Sequence, residues 1–288
     1  MRGFCVCRHI SRETCQGTAP GGIVKIIDIH THFFPDEIAV KTVDFLEESG
    51  GIKAEGDGTL DSLRRAMKKD GISVSVNCPI ATRPEQTAGI NRKMAEHNSN
   101  PENKDVICFG TMHPDYEDAE NEIASLAFAG IKGIKMHPEY QEFYPDDEKM
   151  KKIYSACEKA GLMILFHAGR DEAYESVHGT PGRFAAIEGE GDFILAHLGG
   201  YMMWEEIYEK LAGRNFYFDT ALINVCKDTA LITRIIEKHG SEKVLFGTDF
   251  PWASPAAVKS AVEKAVSNDN ARENIFYGNA QRVLGGVV

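Results

Sequence analysis

From residue 23 onward, short runs of β-branched and apolar residues alternate with longer stretches in which apolar side chains recur every three or four positions. Eight runs of the first kind can be counted, at 23–30, 72–79, 105–111, 131–137, 162–168, 192–198, 215–220 and 243–248. Each has the length of a buried strand and is too short for a buried helix. Helix-patterned stretches fall between them. One surrounds Leu60, Leu63 and Met67, which share a face, and others lie at about 86–98, 115–129, 148–160, 181–189, 204–212, 228–239 and 255–267, with a short last one near 278–285. Asp115, and Asp146 or Asp147, stand where a side chain would cap helix amides, and Gly130, Gly161 and Gly240 where a helix would end on a left-handed residue. Eight βα units in regular order, with no composition break or long linker, predict an α/β fold of the (β/α)8 TIM barrel type rather than an open doubly wound sheet. The barrel is assigned to 23–288 as one domain, and residues 1–22 to an N-terminal extension whose order the pattern leaves open. The connections 33–59, 137–147 and 168–180 are longer than usual βα loops. All three follow strand C-termini, the face on which barrels build their sites.

Charge narrows the partners. Lys and Arg number 32 against 43 Asp and Glu, a formal charge of −11, with the acids spread along the helical stretches. This argues against nucleic acid and anionic membrane surfaces, which select basic patches. No apolar run approaches the roughly 18 residues of a membrane span, and the N-terminus has no apolar core of signal-peptide type. A cytoplasmic protein acting on a small molecule is the expectation. Of seven cysteines, Cys78, Cys108, Cys157 and Cys226 sit singly in apolar segments and are expected as buried reduced thiols. Cys5, Cys7 and Cys15 lie in the polar leader and lack the paired CxxC spacing of a zinc or iron–sulfur site.

The candidate chemistry sits at the strand ends. The first run closes on His30-Thr31-His32, and alternation along a strand sends both imidazoles to one side while Thr31 points away. The pair alone is weak. But His137, His167, His197 and Asp249 end the fourth, fifth, sixth and eighth runs in the same way. Core histidines placed at random would scatter along the strands, whereas these gather at one end, as a zinc or other transition-metal site would require.

Asp28-Ile29-His30-Thr31-His32-Phe33-Phe34-Pro35, Gly133-Ile134-Lys135-Met136-His137-Pro138, Ala196-His197-Leu198-Gly199-Gly200 and Leu245-Phe246-Gly247-Thr248-Asp249-Phe250-Pro251-Trp252 resemble the amidohydrolase superfamily. More closely they resemble its amidohydrolase-related branch, which includes aminocarboxymuconate-semialdehyde decarboxylase; Ile275 to Leu284 also matches that branch. The likeness runs in order over about 26–285. It implies one divalent metal, zinc foremost, held by His30, His32, His167 and Asp249, with His197 beside it as a catalytic residue. Such a set leaves a position open for water. Asp249 would then both bind the ion and accept a proton, and His197 would orient the water or protonate the leaving group. Lys135 matches the lysine that is carboxylated in binuclear members, but the mononuclear branch makes an ordinary lysine paired with an acid such as Glu139 the expectation. Barrels of this branch are often dimeric, so a homodimer is a possible partner state.

For substrate contacts the sequence offers His137 near the metal, Tyr140 with Gln141 and Tyr144 in the strand-4 loop, and Arg170 in His-Ala-Gly-Arg-Asp as a clamp for a carboxylate. Phe33, Phe34 and Trp252 flank the ligand strands, as walls of the site or as packing. His9, His97, His113, His178 and His239 share no placement and are read as non-ligands. The leading expectation is a metal-dependent hydrolase of a small ester, lactone or amide. A non-oxidative decarboxylase of an aromatic or muconate-like acid is the alternative, and a non-catalytic metal-binding barrel a distant third.

Overall fold

The computed structural model describes residues 25–188 and 191–286. The leader, with Cys5, Cys7, Cys15 and His9, lies outside the described residues. The strands are β1 (Ile27–Thr31), β2 (Val74–Asn77), β3 (Val106–Cys108), β4 (Gly110–Thr111), β5 (Gly133–Met136), β6 (Met163–Phe166), β7 (Phe193–Leu195), β8 (Tyr217–Asp219) and β9 (Val244–Leu245). All their pairings are parallel, β1 to β3 in one series and β4 to β9 in the next. β3 and β4 are two halves of the single run expected at 105–111, parted at Phe109, so the nine segments make eight staves. The ends of the series meet where Ile29 N donates to Phe246 O at 2.8 Å, His32 N to Phe250 O at 2.7 Å and Asp249 N to His30 O at 2.8 Å. The fold is the expected (β/α)8 barrel.

The helices are α1 (Ala39–Gly50), α2 (Leu60–Asp70), α3 (Thr87–Ser99), α4 (Ala119–Phe128), α5 (Met150–Ala160), α6 (Pro181–Ala185), α7 (Trp204–Lys210), α8 (Thr229–His239), α9 (Pro255–Ala265), α10 (Asp269–Glu273) and α11 (Asn279–Val283). Their apolar faces give the main core, in which Leu63, Met67, Ile123, Ile153, Ile207, Ile235 and Val258 pack with strand residues such as Ile134, Ile164, Phe166 and Phe218. A second cluster joins Ile27 and Ile29 to Val74, Val76 and, from α11, Ala280 and its neighbour Leu284. None of the described helices is long and apolar enough to cross a membrane.

Several local expectations hold and others fail for identifiable reasons. Gly130, Gly161 and Gly240 follow their helices at φ of 82°, 66° and 97°, where a side chain would be strained. Asp115 caps nothing: α4 starts four residues later, and the Asp115 carboxylate pairs with Lys149 at 2.9 Å. Asp146 and Asp147 likewise precede α5 without capping it. The first pairs with Arg183 at 3.0 Å, and the second accepts Tyr144 N at 2.9 Å, closing a turn. Aspartate stabilises such turns as readily as it caps helices, and sequence alone does not separate the two. Cys78, Cys108 and Cys157 are buried, but Cys226 is only half-buried, in the turn that leads to α8. The long connection 33–59 holds α1, whose outer face carries exposed Val40 and Phe45 and so hides the amphipathic period.

Candidate metal centre

β1 and the segment after β9 supply the core of the site. His30 Nε2, His32 Nε2 and Asp249 Oδ1 form a triangle with sides of 3.2, 3.0 and 3.2 Å. Three donors around a divalent ion at about 2.0–2.2 Å stand roughly 3 Å apart, so the spacing of these atoms fits one ion. Asp28, two residues before His30, ties the two strands together: its carboxylate accepts Thr248 Oγ1 at 2.6 Å and Thr248 N at 3.0 Å. Burial pushes Asp28 up to about 8, against these bonds. Asp249 goes the other way. Burial would raise it, but the neighbouring His30 and His32 imidazoles hold it well below the usual carboxylate range. Asp249 also sits at φ 66°, a conformation an L side chain keeps only when its surroundings enforce it.

Under the triangle lies Lys135, buried, with Nζ 3.0 Å from His30 Nε2. The expectation that it pairs with Glu139 is corrected here, because Glu139 Oε1 instead accepts the backbone amides of His178 and Gly179 at 2.9 and 3.1 Å. Burial lowers the Lys135 ammonium below its ordinary range. On the opposite side of His30, Asp219 at the end of β8 places Oδ2 2.8 Å from Nδ1. Sequence reasoning missed Asp219. Yet an acid closing the run Tyr217-Phe218-Asp219 obeys the rule that singled out the other strand-end groups.

The remaining histidines line the wall across from the triangle. His197 Nε2 lies 3.2 Å from His167 Nδ1, while its Nδ1 faces Ala221 O at 3.3 Å. His167 Nε2 faces the Arg170 carbonyl at 3.0 Å, and the ring stacks on His137 with centroids 4.1 Å apart. Tyr140 stacks on the other face of His137 at 3.8 Å. Burial lowers all three imidazoles below their ordinary range; Lys135 adds to it, while for His197 the Asp249 and Asp219 carboxylates pull the other way. Two groupings of potential metal donors result: His30, His32 and Asp249, and separately His137, His167 and Asp171. The structure therefore brings together three of the four expected ligands and sets His167 in the second group.

Among the expected substrate contacts, His137 and Tyr140 lie in this wall, whereas Arg170 is exposed, and the bonds it makes to His167 and Tyr201 are through its backbone. Gln141 is a staple rather than a pocket wall: it accepts His137 N at 2.9 Å and donates to Ala81 O and Met112 O at 2.7 and 2.8 Å. Asp171 and Glu139 were also missed. They flank His137, with Asp171 Oδ2 3.4 Å from Nε2 and Glu139 Oε2 3.5 Å from Nδ1. Of the histidines read as non-ligands, the described ones bond elsewhere; His97 meets Val106 O and His239 meets Phe216 O, each at 3.0 Å.

Barrel, strand-end donors and motif order together define a class, and comparison with known families agrees. The family model for amidohydrolase matches residues 27–286, and the chain belongs to that family, whose enzymes bind a divalent metal. Among solved structures it is similar to 5-carboxyvanillate decarboxylase from Sphingomonas paucimobilis, at 16% identity over 91% of this chain and 99% of that one, with a TM-score of 0.64. It is similar to a dihydroxybenzoic acid decarboxylase from Polaromonas with bound manganese and 2-nitroresorcinol, at 15% identity over 91% and 97%, TM-score 0.65. A probable 2-pyrone-4,6-dicarboxylic acid hydrolase from Acinetobacter baumannii follows at 13% identity over 90% and 99%, TM-score 0.63. No curated protein sequence matches the chain.

Proposed function

We propose that this chain is a metal-dependent hydrolase of a small ester, lactone or amide, with zinc as its ion. His30, His32 and Asp249 would hold the ion, and His167, which stands with His137 and Asp171, would join them as a fourth ligand on binding. Imidazole and carboxylate donors suit zinc. The bound ion would supply Lewis acidity and lower the pKa of a water to about 7 in favourable sites. Asp249, ionised and lodged between two imidazoles, is the group to accept a proton as that water attacks. His197 keeps Nδ1 on the Ala221 carbonyl, so its Nε2, 3.2 Å from His167 Nδ1, would carry the lone pair and would first take up a proton from the water before passing it to the leaving group.

One observation carries hydrolysis over decarboxylation: the balance of charge about the donors. An enzyme that grips an acidic substrate should converge cations on the metal. Here Asp171, Glu139 and Asp219 stand beside the histidines, Arg170 is exposed, and Lys135, the one buried lysine or arginine among the described residues, is occupied with His30. The alternative is a non-oxidative decarboxylase of a small aromatic or muconate-like acid. Its support is the structural likeness to carboxyvanillate and dihydroxybenzoic acid decarboxylases. A panel of lactones, esters, amides and aromatic carboxylic acids, given to zinc- and manganese-loaded protein, separates the two. Proton release without carbon dioxide is expected. Carbon dioxide from an aromatic acid, with no hydrolysis of any neutral substrate, overturns the reading.

A further inference from the structure

Asp219 is completely buried, and both its oxygens are engaged. Oδ2 meets His30 Nδ1 at 2.8 Å, while Oδ1 accepts the backbone N–H groups of His197 and Ala221 at 2.8 and 2.9 Å. An ionised carboxylate only accepts hydrogen bonds, so its contact with His30 requires the proton on Nδ1 and leaves the lone pair on Nε2. A second partner makes the same demand from the far side of the ring. The Lys135 ammonium only donates, and it lies 3.0 Å from His30 Nε2. Asp249 Oδ1 pulls the other way but from farther off, 3.2 Å from Nε2, so the two closer contacts select the tautomer with the proton on Nδ1 and the lone pair on Nε2, the nitrogen beside His32 Nε2.

We infer that Asp219 is the positioning residue of the metal centre, fixing the His30 tautomer with one oxygen and the main chain at His197 with the other. One carboxylate then sets a ligand and the acid–base histidine together. The second link is needed because His197 has φ 59°, a left-handed conformation that costs free energy unless its amide is held. Ala221 closes the loop, since its N–H binds Asp219 Oδ1 and its carbonyl faces His197 Nδ1. This inference rests on the metal-centre part of the proposed function and not on the choice between hydrolysis and decarboxylation.

Asparagine is the discriminating substitution, because it keeps the shape and removes one acceptor. With its oxygen on the two backbone amides, its NH2 faces His30 Nδ1 and drives the proton to Nε2, where it blocks the ion. With its oxygen toward His30, the NH2 meets two N–H groups. No orientation serves both ends. Loss of such an outer partner typically weakens metal binding about 10- to 100-fold.

The test uses the metal-free full chain labelled with 15N-histidine, with His30 assigned by difference against His30→Gln, and zinc affinity measured by competition with a chromophoric chelator. In the wild type His30 is expected as the Nδ1–H tautomer, and Asp219→Asn is expected to fold yet bind zinc about 10- to 100-fold more weakly. An Nε2–H tautomer in the wild type, or a folded Asp219→Asn with unchanged zinc affinity, overturns the inference. If the variant does not fold, the wild-type tautomer decides alone. A wild-type chain that binds no zinc overturns both this inference and the metal centre. Absent hydrolysis, with zinc binding and tautomer as expected, overturns only the hydrolase reading.

Discussion

The two halves of the barrel mouth are built differently. On the β1–β9 side His30 and His32 stand on β1 or directly after it and Asp249 follows β9; Asp28 is saturated by Thr248, and Asp219 by His30 and the His197 and Ala221 amides. On the side formed by the loops after β5 and β6, His137 directly follows β5, but Glu139, Tyr140, Arg170 and Asp171 sit on irregular chain, and Glu139 Oε2, though buried, has no hydrogen-bond partner. A buried polar atom left unpaired costs free energy, so the loop side is less fully determined than the strand side. The difference fits a division of labour: an ion needs rigid, converging donors, whereas substrate choice is varied by changing loops on a fixed scaffold.

The hardest way to break this contrast is to remove the strand-side donors. The double variant His30→Ala with His32→Ala is expected to lose essentially all bound metal, measured by elemental analysis after reconstitution with zinc or manganese, and all activity with it. Occupancy equal to wild type would mean that the rigid side does not hold the ion. His197→Asn tests the boundary between the halves. It should keep the metal and lose about 10²- to 10⁴-fold in kcat, the usual contribution of a general acid–base group. Loss of metal along with rate would move His197 among the ligands.

How much of this was readable in the chain follows the same division. The strand side was legible because alternation fixes side-chain direction: once His30 and His32 end a strand, their shared face follows, and Asp249 at the last strand end completes the set. Asp219 and Asp28 obey the same geometry and were overlooked because a single acid in an apolar run looks unremarkable until the strands are closed into a barrel. The loop side was not legible. The stacking of Tyr140, His137 and His167, the position of Asp171 and the exposure of Arg170 depend on loop paths that no periodicity encodes. Lys135 illustrates the limit: its face was correct, but its partner, His30, lies across the barrel and was invisible to an argument from neighbours in sequence.

Glu139, with one oxygen on two backbone amides and the other unbonded, gives a smaller effect, in stability rather than catalysis. Burial raises its carboxyl above the ordinary 4.5, against hydrogen bonds from Gly179 and His178. A raised folded-state value means that the folded protein holds a proton which the unfolded chain has released. Its contribution to stability is therefore fully present below about pH 4.5 and is lost as pH rises from there through the folded-state value. Glu139→Gln keeps an oxygen for the two backbone amides and has no charge to bury. Denaturant unfolding at several pH values should show the variant gaining on wild type as pH rises from 4.5 to neutrality. A constant difference across that range would show that the buried carboxyl is already ionised without penalty, and the loop side would then be as well determined as the strand side.

Arg170→Ala carries the smallest expected effect and sharpens the comparison most finely. The side chain is exposed and the bonds of this residue to His167 and Tyr201 come from its backbone, which alanine preserves. Metal content should be unchanged, and kcat/KM for a neutral lactone or ester should stay within a few-fold of wild type. An exposed charge that met a substrate carboxylate only in the complex would behave otherwise, because a bidentate arginine–carboxylate pair is a strong, oriented contact. A large rise in KM confined to carboxylated substrates would therefore place Arg170 in a clamp that closes on binding. It would also count against the hydrolase of neutral substrates, since the cation whose exposure argued against an acidic substrate would be the one that recognises it.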